Sequence, residues 1–234
     1  RPGAYPDSWY AATADALPLR ASLQGDRRRD ICIVGAGYTG LSTALHLAER
    51  GYAVTVLEAH RIGFGASGRN GGQVGSGQRV DQSELEEIVG PDDARKLWEI
   101  GEAAKEKVKS LIAAHGIACD WREGVAYADW HGQDVPETHE EVVHLRETYG
   151  YRAIQARGRD GIAALTGTDV FAGGAVDREA GSLHPLRFAQ GLARAAIAAG
   201  VEIHETSEVT ELIPGARPKV RTATGAVTAD HVIL

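Results

Sequence analysis

An α/β fold built on a parallel sheet is what this chain of 234 residues predicts, on three observations. The run Asp30-Ile31-Cys32-Ile33-Val34 is apolar and β-branched, as a strand buried on both faces must be, and it enters the glycine turn Gly35-Ala36-Gly37-Tyr38-Thr39-Gly40. Ala44, Leu45 and Ala48 then recur at helical spacing up to a stop at Gly51. A second apolar strand, Val54-Thr55-Val56-Leu57, delivers an acid, Glu58, at its end.

Strand, glycine turn, helix, strand and acid make up the β-α-β unit that grips a dinucleotide in a Rossmann-like fold. Gly35 permits the tight turn out of the strand. Gly37 has no Cβ, so a pyrophosphate can approach the backbone, and Gly40 lets the helix lie close to the sheet. Free N–H groups at the helix N-terminus add partial positive charge for phosphates. Glu58 stands where a carboxylate accepts hydrogen bonds from ribose hydroxyls. The glycine motif alone is weak evidence; the strand, helix and acid around it make it specific.

The segment after Glu58 runs Arg61-Ile62-Gly63-Phe64-Gly65-Ala66-Ser67-Gly68-Arg69-Asn70-Gly71-Gly72-Gln73 and continues to Gly75-Ser76-Gly77. This is poor helix material, where an ordinary nicotinamide-binding fold leads promptly into another helix. Such a loop exposes N–H groups and lacks bulky Cβ atoms, so it can run along a flat ring and a phosphate. The Ser67 hydroxyl can donate to a phosphate oxygen, and the Asn70 and Gln73 amides can pair with the edge of a heteroaromatic ring. A flexible linker is the bland alternative. Arg69 and Asn70 are side chains that a spacer does not need.

Further elements follow in order. Residues 1–29 form an arm rich in proline and alanine, with Trp9 and Tyr10 as anchors and Arg27-Arg28-Arg29 as a solvated lead-in to the first strand. Residues 82–115 are helical with a break at Gly90-Pro91, and Trp98 is a core residue of that stretch. A strand is expected at 124–130, a charged helix at 137–149, and a strand at 171–177 ending in a turn at Glu179-Ala180-Gly181. Pro185 opens a helix that Gly200 closes. Residues 201–203 return to the first sheet as a parallel strand, and short strands around Pro214-Gly215 and Thr224-Gly225 form a β-meander. The expected organisation is an arm at 1–29, a discontinuous nucleotide-binding domain at 30–80 and 185–234, and an inserted α+β portion at 81–184.

Composition narrows the function. A net charge of −7 with no basic face argues against a nucleic-acid partner. No apolar run is long enough to span a bilayer, and the start as given carries no targeting segment. The nine histidines show no H-E-x-x-H spacing. His139 and His144 flank an acidic helical stretch and are expected to face solvent, so no metal site is expected. Cys32 inside the first strand and the distant Cys119 make neither a disulfide framework nor a zinc site, and a reducing cytoplasm is the expectation.

The glycine turn at residues 35–40, the Leu-Glu-Ala around Glu58 and the Gly65-Ala66-Ser67-Gly68-Arg69-Asn70-Gly71-Gly72-Gln73 tract resemble the FAD-dependent D-amino-acid/glycine oxidase family, the DAO family. Within it the gamma-glutamylputrescine oxidase-like branch is most similar. Ser182-Leu183-His184-Pro185, Val201-Glu202-Ile203-His204-Glu205, Ser207-Glu208-Val209 and the closing stretch to Leu234 extend the resemblance over nearly the whole chain. It implies FAD as cofactor, with Gly35, Gly37 and Gly40 at the pyrophosphate, Glu58 at the adenosine ribose and Ser67 at a phosphate. Arg69, Asn70, Gly71, Gly72 and Gln73 would lie along the flavin side. Val209 corresponds to a position whose backbone touches adenine, or else has core duties only. Ala36, Tyr38, Thr39, Ala59, Arg61, Gly65 and Ala66 complete the implied contact set. His184 either faces a substrate cavity or is a helix-entry residue.

The chain begins at Arg1, contains no methionine and stops at Leu234 at the end of an apolar run. In the family it resembles, that strand leads to a further half, so the chain is expected to be truncated to the amino-terminal half, with catalytic residues beyond Leu234. The implied function is oxidation of the C–N bond of a small amine or amino acid, with gamma-glutamylputrescine first among substrates. Hydride would pass to flavin N5 and dioxygen would act as acceptor, giving hydrogen peroxide. Two other classes stay open. An NAD-dependent dehydrogenase predicts a helix immediately after Glu58 and no role for Arg69 and Asn70. A non-catalytic flavin-binding subunit predicts binding without turnover.

Overall fold

A computed structural model describes residues 3–15 and 17–234. Along the first part lie α1 (Trp9–Thr13), β1 (Gly25–Val34), α2 (Tyr38–Ala48), β2 (Val54–Leu57), a 3₁₀ turn at Ala66–Gly68, β3 (Gln73–Val74), α3 (Gln82–Val89) and α4 (Pro91–His115). There follow β4 (Arg122–Asp129), α5 (Val135–Thr148), β5 (Ile154–Gly158), α6 (Arg159–Thr166), β6 (Gly173–Ser182) and α7 (Pro185–Ala198). The chain closes with β7 (Glu202–His204), β8 (Glu211–Ile213), β9 (Lys219–Arg221) and β10 (Gly225–Ile233). These elements form two compact units. One comprises residues through Gly71 with Leu111–Cys119 and His184–Leu234; the other comprises Gly72–Ser110 and Asp120–Leu183.

The first unit carries a six-stranded sheet in the order β7-β2-β1-β10-β9-β8. β1 pairs in parallel with both β2 and β10, and β2 with β7, while β9 and β8 turn back antiparallel. The apolar runs that predicted strands are buried: every residue of β2 is inside, and Ile31, Cys32 and Ile33 fill the middle of β1. Leu23, Cys32, Leu57, Val220, Val227 and Ala229 make one cluster of the core. Burial pushes the Cys32 thiol up to about 12, so it packs as a small hydrophobe and is not a nucleophile at neutral pH. α2 lays Leu41, Ala44 and Leu45 inward at helical spacing and is followed by Gly51 at φ 91°. α7 has Pro185 in its first turn and His184 as N-cap, its ring accepting from the Arg187 N–H.

The second unit holds a smaller antiparallel sheet. β6 pairs with β4 along one side and with β3 and β5 along the other. Trp98, Val142, Leu145, Tyr151, Ile154 and Ala175 form its core, with Trp98 where the sequence expects it.

Several expectations are corrected. β1 starts at Gly25, so Arg27-Arg28-Arg29 lies inside the strand and not ahead of it. Its backbone pairs with residues 227–229 of β10, and Arg29 forms an ion pair with Glu202. Glycines open that pairing because the chains nearly touch: a Cβ on Gly225 would stand 2.3 Å from the Gly25 carbonyl oxygen. The turn expected at residues 179–181 lies inside β6, which continues to Ser182: residues 178–180 bulge between the paired stretches, and Asp177 Oδ1 accepts from the Glu179 and Ala180 N–H groups. There Gly181 makes room for Trp121, whose ring would lie 2.4 Å from a Cβ. α1, β5 and α6 were not anticipated. Trp9 is 76 % exposed and anchors nothing, whereas Tyr10 packs edge-on against the His184 ring, at 5.0 Å between centroids. His139 and His144 are half-buried and bonded, to the Arg157 carbonyl and the Glu86 carboxylate.

One charged pair sits inside the first unit. Glu205 has no exposure; its Oε1 accepts from Arg61 Nε at 2.8 Å and the Ile62 N–H at 2.7 Å, and its Oε2 accepts from the Arg20 N–H at 2.7 Å. Arg61 donates its other nitrogens to the carbonyls of Gly3 and Leu17 and lies over the Tyr5 ring. Removing one partner strands a buried charge, so Arg61→Met should lower the unfolding free energy by roughly 3–5 kcal/mol in urea denaturation. The Arg61→Met/Glu205→Met double variant should recover most of that loss. A single variant as stable as the parent would show that the pair contributes nothing.

Candidate cofactor site

At the carboxyl end of β1 the sheet order reverses, with β2 on one side and β10 on the other, and a crevice at such a point is where open α/β sheets take their ligands. The glycine turn stands there. Gly35 has φ 99°, a conformation only glycine adopts without strain. A Cβ on Gly40 would lie 2.1 Å from the Gly35 carbonyl oxygen, so α2 packs this close to the turn only without a side chain there. At Gly37 an added Cβ would press against Ser67 Oγ at 3.0 Å.

The turn is wired to the end of β2. Glu58 Oε2 accepts from the Ala36 N–H at 2.8 Å and Oε1 from the His60 N–H at 2.9 Å. Each carboxylate oxygen keeps a further lone pair for an incoming hydroxyl. The Gly63 N–H donates to the Ala36 carbonyl, and the Ser207 N–H to the Glu58 carbonyl. Ser67 Oγ accepts from the Tyr38 N–H at the start of α2, which leaves its own proton for an acceptor such as a phosphate oxygen. The Tyr38 phenol donates to the Pro185 carbonyl, and burial pushes it up to about 12.

The other expected contact residues divide. Thr39, Gly65, Ala66 and Gly71 are exposed, and Ala59 is half-buried beside Glu58. Arg69 is exposed, bonds back to the Phe64 carbonyl and lies over the Phe64 ring at 4.6 Å. The Asn70 amide donates to the carbonyls of Ala66 and Ser67, within its own loop. Gly72 takes φ 76° and its carbonyl accepts from the Leu183 N–H, while Gln73 pairs with Ser182 in β3; both belong to the second unit. The Val209 side chain packs on the core cluster. The Arg61 guanidinium points into the fold and not to the turn. His184 serves as a helix cap, and its Nε2 lies 3.0 Å from the Thr13 hydroxyl. Phe64, unremarked in the sequence, stacks between Arg69 and the His60 ring, which is 4.2 Å away. A recess of about 650 Å³ runs beside the end of β2, with Ala59, His60, Phe64, Thr206 and Glu208 in its wall.

A family model described as DAO, FAD dependent oxidoreductase, matches residues 30–234. The chain belongs to the DAO family. It is 39% identical over 227 residues to the gamma-glutamylputrescine oxidoreductase of Escherichia coli, covering 97% of this chain and 53% of the relative. A probable oxidoreductase OrdL of Rhizobium meliloti is 34% identical over 228 residues, with the same two coverages. The chain thus spans about half the length of these curated relatives. Among solved structures, glycine oxidase from Geobacillus kaustophilus superposes with a TM-score of 0.71 at 22% identity, over 88% of this chain and 54% of the other. L-amino acid deaminase from Proteus myxofaciens gives 0.73 at 24%, over 94% and 48%. Both likenesses are of fold.

FAD is the cofactor of the DAO family, and the turn fits it. The side-chain-free faces of Gly35 and Gly37, the helix N-terminus and the Ser67 hydroxyl suit a pyrophosphate, and the Glu58 carboxylate suits a ribose diol. Glu58→Ala should weaken FAD retention by about 1–3 kcal/mol, the range for hydrogen bonds to a charged group. Flavin content after dialysis checks it, and an unchanged affinity would remove Glu58 from the site. Gly37→Val should purify colourless, because its methyl groups occupy the approach to the backbone. A yellow Gly37→Val protein would place the grip elsewhere.

Proposed function

We propose that this chain is the nucleotide-binding part of an FAD-dependent enzyme that oxidises the C–N bond of a small amine or amino acid. The observation that carries the proposal is the Glu58 carboxylate bonded to the Ala36 N–H, which joins the acid at the end of β2 to the glycine turn after β1. When bound, FAD would supply a two-electron acceptor for hydride from the substrate carbon, with dioxygen as the proposed terminal acceptor giving hydrogen peroxide.

The chain's own residues bind and orient. Gly35, Gly37, the Tyr38 end of α2 and Ser67 receive the diphosphate, and Glu58 takes the ribose hydroxyls. The recess beside Ala59 and His60 receives the adenine, with the Val209 backbone near it. Residues 69–73 run toward the flavin end. The half-buried, neutral Tyr38 phenol and the Phe64–Arg69 stack stiffen the two sides of the loop. Catalytic residues are assigned to the length of the relatives that this chain does not cover. Gamma-glutamylputrescine leads the substrate candidates because the relative named for it is 39% identical.

A dehydrogenase using NAD has less support, because the segment after Glu58 forms one 3₁₀ turn, Ala66–Gly68, and the two-residue β3 before α3, and not an immediate helix. No cluster of acids, histidines and cysteines able to hold a metal ion occurs among the described residues, and none of their helices is long and apolar enough to cross a membrane. Two free buried cysteines fit a reducing compartment such as the cytoplasm. The test is anaerobic mixing of the whole enzyme with gamma-glutamylputrescine, sarcosine, glycine and D-amino acids. Visible flavin absorbance should bleach with gamma-glutamylputrescine and return with air, with peroxide formed. A yellow protein that no amine bleaches would favour a binding subunit, and a colourless one that binds NADH would favour the dehydrogenase.

A further inference from the structure

The recess beside the end of β2 has one wall made by the amino-terminal arm. Ala4, Tyr5 and Pro6 line it together with Ala59, His60 and Thr206. The match to the family model begins at residue 30, so the common core of the family does not include the arm.

The leading residues of a chain stay loose unless something ties them down, and ordering them costs entropy. Here the ties are specific. The Tyr5 hydroxyl donates to the Ile62 carbonyl at 2.7 Å. The Arg61 guanidinium lies over the Tyr5 ring, 5.0 Å from its centroid, and donates to the Gly3 carbonyl at 3.0 Å. Pro6 fixes its own φ and so stiffens the next step of the segment. The ties therefore bracket the three residues that line the recess, and each lands on Arg61 or Ile62.

Those anchors lie just beyond Glu58, the carboxylate read as the ribose contact. Ala59 and His60, between Glu58 and the anchors, form the floor next to the arm. The third side is equally fixed, since the Thr206 N–H donates to the His60 carbonyl and the Ser207 N–H to the Glu58 carbonyl. Arg61 is itself held by the buried Glu205. A dinucleotide with its diphosphate at the glycine turn and its ribose at Glu58 carries its base onward from that ribose, toward this recess. The wall suits a flat base, with apolar surface from Ala4, Pro6 and Ala59 and hydroxyls from Thr206 and Thr210.

We propose that the arm is a strap along the adenosine end of the bound cofactor, with Tyr5 as the residue that positions it. The strap rests on the FAD reading and extends it: residues outside the common core of the family slow the release of the cofactor. The Arg61–Glu205 pair then serves binding at one remove, because Arg61 holds the strap from both faces of the Tyr5 segment, at the ring and at the Gly3 carbonyl.

The test is photolabelling of the whole enzyme, freed of FAD, with 8-azido-ADP. After trypsin digestion, label should appear in the peptide ending at Arg20, and added FAD should suppress it. Release of FAD on dilution, followed by flavin fluorescence, supplies the second measurement. Tyr5→Ala should release FAD about tenfold faster, while Tyr5→Phe, which keeps the ring in the wall, should stay within about twofold of the parent. Label confined to other peptides, in an enzyme that does bind FAD, would overturn the strap and leave the cofactor reading intact. Unchanged release from a folded Tyr5→Ala enzyme would do the same. An enzyme that takes up neither FAD nor the label would remove both readings together. The photolabel uses the unaltered chain, so it decides even if a variant does not fold.

Discussion

Glu205 is a carboxylate with no access to solvent, and its position fixes much around it. Taking such a charge out of water is expensive unless donors surround it. Here the donors come from separate stretches: the arm at Arg20, and the start of the loop after β2 at Arg61 and Ile62. Glu205 itself follows β7. The same loop continues to Ser67, whose hydroxyl takes the Tyr38 N–H at the head of α2. The loop that carries Ser67 to the glycine turn is therefore anchored at its start by a buried ion pair. Charge burial is offset by position, and position is what the turn needs.

Close approach of backbone to backbone is the other recurring device. Gly40 faces the Gly35 carbonyl, and Gly68 repeats the arrangement against the Gly63 carbonyl at 2.2 Å from a notional Cβ. In each case a helical turn folds over the carbonyl of the residue five positions earlier. Two tight turns then face each other through Gly37 and Ser67. A methyl group at Gly40 or Gly68 would force the backbone apart, which explains why this stretch is so rich in glycine.

The local parts of this fold were legible in the sequence. β1 through Glu58 announced itself by apolar runs, glycine placement and a terminal acid, and α7 by Pro185 and Gly200, because those signals act within a few residues. What depended on distant partners was not. Arg27-Arg28-Arg29 looks like a solvated approach until Gly225–Ile233 supplies a neighbour. Glu179-Ala180-Gly181 has the composition of a turn and makes a bulge inside β6, because β3 and β4 pair again with Gly181 and Ser182. Arg61 read as a cofactor contact from its place in the motif; its partner lies 144 positions away, and nothing local marks the pairing. Asn70 and Arg69 were legible as unusual loop residues, yet their bonds back into the loop depend on its exact curl. Glu141 reaches the Gln82 N–H, and Asp129 the Thr138 hydroxyl, only when α3, α5 and β4 are packed.

The pairing of Gly25 with Gly225 has a temporal side. During synthesis, β1 and the turn that follows it emerge early and can pair with β2, but the ladder on the opposite flank lacks its complement until Ile233 has left the ribosome. Until then that flank is an open strand edge, able to hydrogen-bond to any extended peptide nearby. Three arginines put like charge along that edge, and charge on an open edge disfavours strand-to-strand association between copies.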